Sequence, residues 1–264
     1  MSIKLVVKKV PAVGLEADVI DPAALGKKGL SEIGRLQVWA GRRTMPLADP
    51  FDISVQVPEE KVEIHGDASR VKRIGQGMAS GRIDLFGDAG MHLGNRMSGG
   101  EIHVSGSVSS WCGCEMQGGS ITIAGNAAHY LGGAYRGSSA GMQGGSITVS
   151  GAAGGEAGCR MADGVITIGA GCGDFAGVHQ KGGVIVVHGP CGARPGAGMT
   201  GGQLILNGRV ESILPGAAYL EEVQEVEAAG TKLKGPFLKF KCDLAEETQG
   251  ELLILTEPNK HLRA

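Results

Sequence analysis

The chain of 264 residues holds 47 glycines and ten prolines but only five Phe, three Tyr and two Trp, so large rings cannot build its core. Apolar residues make up 42%, which excludes a disordered chain, and glycine shows no three-residue period, which excludes collagen. Twenty-five basic against 27 acidic residues leave a net charge of −2, a balance that gives no general affinity for nucleic acid or an anionic membrane surface.

The chain opens with MSIKLVVKKV, whose apolar stretch is broken by Lys8, Lys9 and the following Pro11. It therefore predicts a strand rather than a signal peptide, and no later apolar run is long enough to span a membrane. The six cysteines form no C-x-x-C pair and no metal-finger spacing, so the expectation is a cytosolic chain with reduced thiols. IKLVVKK and RLQVWAG read as strands of an N-terminal β-rich cap over residues 1–60.

From Val62 a five-residue segment recurs as VEIHG, IDLFG, IHVSG, ITIAG, ITVSG, ITIGA, IVVHG and LILNG. Its closing residues are Gly66, Gly87, Gly106, Gly125, Gly151, Ala170, Gly189 and Gly208, spaced 21, 19, 19, 26, 19, 19 and 19 apart. A methionine recurs in the same phase, at Met78, Met97, Met116, Met142, Met161 and Met199, with Gln180 in the remaining place. Alternating apolar positions predict one strand per unit, and the glycines leave no room for a helix. Strands that recur in parallel predict an all-β fold, a right-handed parallel β-helix of about 19-residue coils stacked about 4.8 Å apart, over residues 61–214. Ile64, Leu85, Val104, Ile123, Val149, Ile168, Val187 and Leu206 then form one inward stack, and the methionines another. The long unit carries its extra residues in AAHYLGGAYRGSSAG (127–141), predicted to bulge as a loop.

Residues 215–264 are expected to cap the other end. AAYLEEVQEVEAAG (217–230) reads as a short charged helix, while PFLKFKCDL and ELLILTE read as strands around a turn at Thr248–Gly250.

Two sequences mimic catalytic motifs. GAGMTG (196–201) fits the dinucleotide pattern, but a strand rather than a helix follows it, so it reads as a repeat corner. GSSAG (137–141) would make Ser139 a nucleophile with His129 nearby, yet it lacks the strand–turn–helix setting of a nucleophile elbow. Cys172 and Cys191 occupy one position on successive coils; Cys114 and Cys159 share another, with Ala140 between them. Both pairs read as columns of small buried residues, since metal ligation needs more converging donors. The residue before each Met runs Gly77, Arg96, Glu115, Gly141, Arg160, His179 and Gly198, which predicts an outward polar strip. Arg96 and Arg160 of that strip, together with Arg70, Lys72, Arg73, Arg136, Lys181 and Arg194 at neighbouring turns, are the candidates for docking a partner or an anionic cofactor tail. No catalytic or metal-binding residue is assigned.

The repeat M-x-G-G followed by x-I-x-[IV]-x-G resembles the GXGXG β-helix family, also found at the C-terminal end of glutamate synthase large subunits. With GRLQVWAGRRTMPLADPFDI (34–53) before it, the chain is similar to the C-type subunits of two one-carbon complexes. These are formylmethanofuran dehydrogenase and the bacterial formyltransferase/hydrolase complex. The resemblance implies a non-catalytic scaffold subunit that holds no cofactor itself. A methanofuran-type cofactor (methylofuran in bacteria) and a metal centre, zinc, would belong to its partners. Those partners would be the amidohydrolase-type (A-type), B-type and formyltransferase (D-type) subunits. In the archaeal alternative, D-, F- and G-type dehydrogenase subunits with tungsten or molybdenum take their place; a third alternative is a glutamate-synthase-type structural module.

Overall fold

The protein was analysed as a computed structural model that describes residues 2–10, 12–56, 61–246 and 249–263. Each sequence repeat forms one short strand: Lys61–His65, Arg82–Phe86, Glu101–Val104, Ser120–Ile123, Gln143–Val149, Asp163–Ile168, Val184–Val187 and Gln203–Leu206. Each pairs in parallel with the next, so that Val62, Ile83, Ile102, Ile121, Ile147, Ile166, Ile185 and Leu204 lie in direct register. A second ladder of single parallel bridges joins Ala68, Ala89, Val108, Ala127, Ala153, Cys172 and Cys191. The chain therefore advances one strand spacing per repeat and turns the same residue inward each time.

Those inward residues are the core. Both Ile/Val/Leu columns of the ladder are buried, as are all six methionines of the repeat. Each such side chain contributes about 1.5–3 kcal/mol through removal from water. Gln180, in the one place without Met, is also fully buried. Its amide Nε2 donates to the carbonyls of Gly182 and Gly183 at 3.1 Å each, so the polar side chain is held by the turn it faces.

The paired glycines of each turn have a steric cause, seen at Gly182–Gly183. A Cβ on Gly182 would collide with the carbonyl oxygen of Ala162 on the preceding coil, and Gly183 has φ +72°. Close stacking excludes a side chain at the first, and left-handed backbone favours glycine at the second.

Both ends of the ladder are continued by flanking segments. Ser2–Val7 pairs in parallel with Lys61–His65 and antiparallel with Phe51–Gln56. At the far end Glu251–Leu255 adds in parallel to Gln203–Leu206, and Thr231–Lys241 then pairs antiparallel with it. The result is a 13-stranded, largely parallel sheet among the described residues. Gln37–Ala40, within RLQVWAG, is a strand as expected.

One expectation is overturned. Residues 217–230 do not form a charged helix; Ala218–Ala228 is a strand paired along its length with Thr231–Lys241. Val226 and Ala228, two apart, are buried on an apolar patch with Val186, Ile205, Phe237 and Leu253. The glutamates that suggested a helix meet lysines across the hairpin, Glu225 with Lys232 at 3.1 Å and Glu221 with Lys239 at 3.9 Å. Burial against a neighbouring strand thus overrides local propensity. The expected turn at Thr248–Gly250 includes Thr248, which lies outside the described residues.

Candidate functional site

The turn before each methionine holds two columns of outward residues. One is the column singled out in the sequence. The other lies five residues before Met in a regular coil and runs Arg73, His92, Trp111, Tyr130, Glu156, Phe175 and Arg194. All seven have φ between 56° and 68°, where non-glycine residues are uncommon and cost about 1–3 kcal/mol each. Hydrogen bonds to the next coil impose this geometry: Trp111 N donates to His129 O at 2.9 Å and Tyr130 N to Gly155 O at 3.1 Å. Strain repeated this regularly fixes one ladder of outward side chains.

Along that ladder the rings meet. Trp111 and Tyr130 stack with centroids 4.0 Å apart and planes 6° apart, and His92 lies 6.3 Å from Trp111. The inserted loop adds Tyr135, 5.4 Å from Trp111 and 5.5 Å from His92. Arg96 lies 5.7 Å from the centre of the Tyr135 ring, a cation–π distance. Beside these rings opens a cavity of about 410 Å³ lined in part by Trp111, Tyr130, Tyr135, Arg136, Glu156, Arg160 and His179.

The insertion is anchored rather than loose. Lys181 Nζ donates to the carbonyl of Ser139 at 2.7 Å, and Tyr135 N donates to Glu115 Oε1 at 3.4 Å. It also shifts the expected columns. Glu115 N bonds to Gly133 O and Ala134 N to Cys159 O, so Gly133, not Ala140, lies between Cys114 and Cys159, and Ala134 holds the place before the excursion. The strip before Met is also not wholly outward, because Glu115 is only 8% exposed. Arg96 Nε donates to its carboxylate at 2.8 Å. Burial pushes the Glu115 carboxyl up, but hydrogen bonds from Arg96, Ser138 and Tyr135 outweigh it and hold it below the ordinary range.

Burial, and then the charges of Arg73 and Lys72, lower the pKa of His92 below the ordinary 6.5. Burial raises that of Tyr135. A protonated phenol therefore faces a neutral imidazole, and Tyr135 Oη and His92 Nδ1 are hydrogen-bonded at 2.8 Å, the imidazole tautomer setting which of them donates. Because the folded value for His92 is depressed, its contribution to stability is present above the ordinary histidine value and is lost as pH falls toward the folded one. Wild type should accordingly lose more thermal stability between neutral and mildly acidic pH than His92→Gln does. Parallel melting curves across that window check this, and identical pH slopes would refute it.

The expected docking cations separate into two groups. Arg73, Arg96, Arg136 and Arg160 surround the aromatic cluster; Arg73 is paired with Glu16 at 3.2 Å, and Arg136 lines the same cavity as Tyr130. Arg194 extends the same column and lies 5.8 Å from the Phe175 ring centre. Lys181 is engaged with Ser139. Lys72 pairs by its backbone with Glu16, and Arg70 is an exposed neighbour of the Asp67 carboxylate. Sequence reading missed the rings, although His92, Trp111 and Tyr130 lie 19 residues apart and the period alone would have aligned them. The motif candidates lead elsewhere: Ser139 is exposed in the insertion, and His129 Nδ1 accepts from Gly155 N at 3.0 Å. Among the described residues, no three His, Cys, Asp or Glu side chains form a set that could hold a metal ion. No described helix is long and apolar enough to cross a membrane.

Stacked parallel strands joined by glycine turns, with one recurring column of displayed side chains, define a glycine-rich all-β repeat protein. The family model described as the GXGXG motif matches residues 54–231, and the chain belongs to that family. Among curated relatives it is 43% identical over 93 residues to the C subunit of the molybdenum-containing formylmethanofuran dehydrogenase 1 of Methanosarcina barkeri, a match covering 34% of this chain and 31% of that protein. It is 38% identical over 91 residues to the C subunit of the tungsten-containing formylmethanofuran dehydrogenase 2 of Methanothermobacter wolfeii, covering 33% and 34%. The match thus spans about a quarter to a third of the length of these curated relatives. The structural likeness is more extensive. A chain of the formyltransferase/hydrolase complex (FhcABCD) from Methylorubrum extorquens, crystallised with methylofuran, superposes with a TM-score of 0.86 at 31% identity, over 96% of this chain and 99% of that one.

Proposed function

We propose that this chain is a non-catalytic scaffold subunit of a cytosolic formyltransferase/hydrolase complex. That complex would move formyl groups between tetrahydromethanopterin and a methanofuran-type cofactor and release formate. The single observation carrying this is the end-to-end likeness to a chain of such a complex, over 96% of one and 99% of the other. In this reading residues 61–214 wind as a right-handed parallel β-helix, closed by caps over 1–60 and 215–264. A stack of hydrogen-bonded coils is stiff, which suits a part that holds other subunits in fixed register.

The aromatic and arginine face is the proposed docking surface. Trp, Tyr and Arg are the residue types that dominate binding energy at protein interfaces. Arg73 and Arg96 already have carboxylate partners, so Arg136 and Arg160 are the cations left to meet an acidic partner surface or cofactor tail. Arg70, Lys72, Lys181 and Arg194 extend the positive field around them. The metal and the cofactor belong to the partners, which are the amidohydrolase-type, B-type and formyltransferase subunits. A second reading, the C-type subunit of a formylmethanofuran dehydrogenase, is favoured by the 43% identity over 93 residues. Gentle purification of the tagged chain from its host distinguishes them. A hydrolase and a formyltransferase without tungsten or molybdenum are expected to co-purify. Tungsten or molybdenum would give the second reading, and a stable chain without partners would sink both.

A further inference from the structure

Five cysteines, Cys112, Cys114, Cys159, Cys172 and Cys191, are free, and two of them are adjacent. Cys172 and Cys191 are bridged in parallel on successive coils, with Sγ atoms 3.2 Å apart. Parallel strands lie about 4.8 Å apart, inside the roughly 4.4–6.8 Å between Cα atoms that a disulfide spans. Cys114 and Cys159 are not a second such pair, because the coil of Gly133 lies between them and two spacings exceed that reach.

Access also singles out this pair. Cys172 is half-buried, whereas the other five cysteines are buried. Cys172 and Cys191 line a cavity of about 360 Å³ together with Pro190, Gly192, Arg209 and Glu211. Arg209 and Glu211 bring one charge of each sign to that cavity. The hydrogen bond to Cys172, followed by burial, raises the pKa of Cys191, so Cys191 keeps its proton while Cys172 faces the cavity.

We propose that Cys172 and Cys191 are a peroxide-responsive dithiol that closes into a disulfide between successive coils. The Cys172 thiolate attacks the terminal oxygen of a peroxide, the O–O bond breaks, and an alcohol or water leaves. The resulting Cys172 sulfenic acid is attacked by Cys191, the S–O bond breaks, and water carries away the Cys191 proton. Two thiols and one peroxide give one disulfide, one alcohol (or water) and one water; the thiols are oxidised by two electrons and the peroxide is reduced by two.

The experiment uses the full chain, reduced, desalted and treated with hydrogen peroxide. Denatured thiol titration should fall by two, the intact mass should drop by two hydrogens, and dithiothreitol should reverse both. Trypsin cleaves at Lys181, between the two cysteines, so an intact Cys172–Cys191 cross-linked peptide pair is diagnostic. Alanine occupies the same column at Ala68, Ala89, Ala127 and Ala153, so Cys172→Ala and Cys191→Ala should fold. Cys191→Ala should leave a Cys172 sulfenic acid that dimedone traps, and Cys172→Ala should abolish the cross-link. No loss of titratable thiols after treatment, oxygen addition without a cross-link, or a bridge between other cysteines would overturn the proposal.

Discussion

Ile166→Ala is expected to lower the free energy of unfolding by about 2–5 kcal/mol, measured by denaturant titration. Ile166 is fully buried and lies in register between Ile147 on one coil and Ile185 on the next. Backbone hydrogen bonds on both sides fix the spacing of these coils, so the structure cannot collapse into the space left by the missing carbons. The truncated coil also weakens its contacts with two neighbours at once, and in a repeat protein those interfaces are a main source of stability. Thr167→Ala, on the outward face of the same strand, should cost less than about 0.5 kcal/mol. Equal losses at the two positions would mean that the inward column does not carry the core.

Trp111→Ala is the second large effect, and its readout is assembly. If the aromatic face docks a partner, removing its central ring should weaken binding of the remaining subunits by about 2 kcal/mol or more, roughly 30-fold. Trp39→Ala is the control: that ring is 50% exposed and belongs to the short antiparallel pair Gln37–Ala40 with Arg43–Pro46, opposite Glu16 and outside the stack of rings formed by His92, Trp111, Tyr130 and Tyr135. Titration of each purified variant into the partner subunits separates the two. An unchanged Trp111→Ala affinity beside a weakened Trp39→Ala would move the docking surface to the N-terminal segment.

The ladder was legible because its signals are local and repeated. Alternating apolar residues, paired glycines and the single Met recur in one phase, and the structure stacks them as the period requires. The error at 217–230 came from the opposite situation. That segment takes its conformation from Phe237, Leu253 and Ile205, residues far away or on another strand, while its own glutamates and alanine favour a helix. The candidate site was half legible. Arg96 and Arg160 stood out because they interrupt the place before Met. Trp111 and Tyr130 did not, because a tryptophan and a tyrosine in a left-handed turn look like loop residues until coils are superposed. Tyr135 could not be placed at all, since how an insertion folds back on its neighbours has no period to follow.

The anchored excursion after Ala134 has one more consequence. A ladder of repeated strands has near-translational symmetry in its backbone, so a partner gripping the backbone and turns alone would find an almost equivalent grip one step along. Such a surface can hold a partner without fixing where it sits. The out-of-period turn, pinned by Lys181 and Glu115 and carrying Tyr135 onto the rings, occurs once in the ladder. It lifts the degeneracy, so a body seated against it has one address along the strand ladder and loses contact if it slips by a single step.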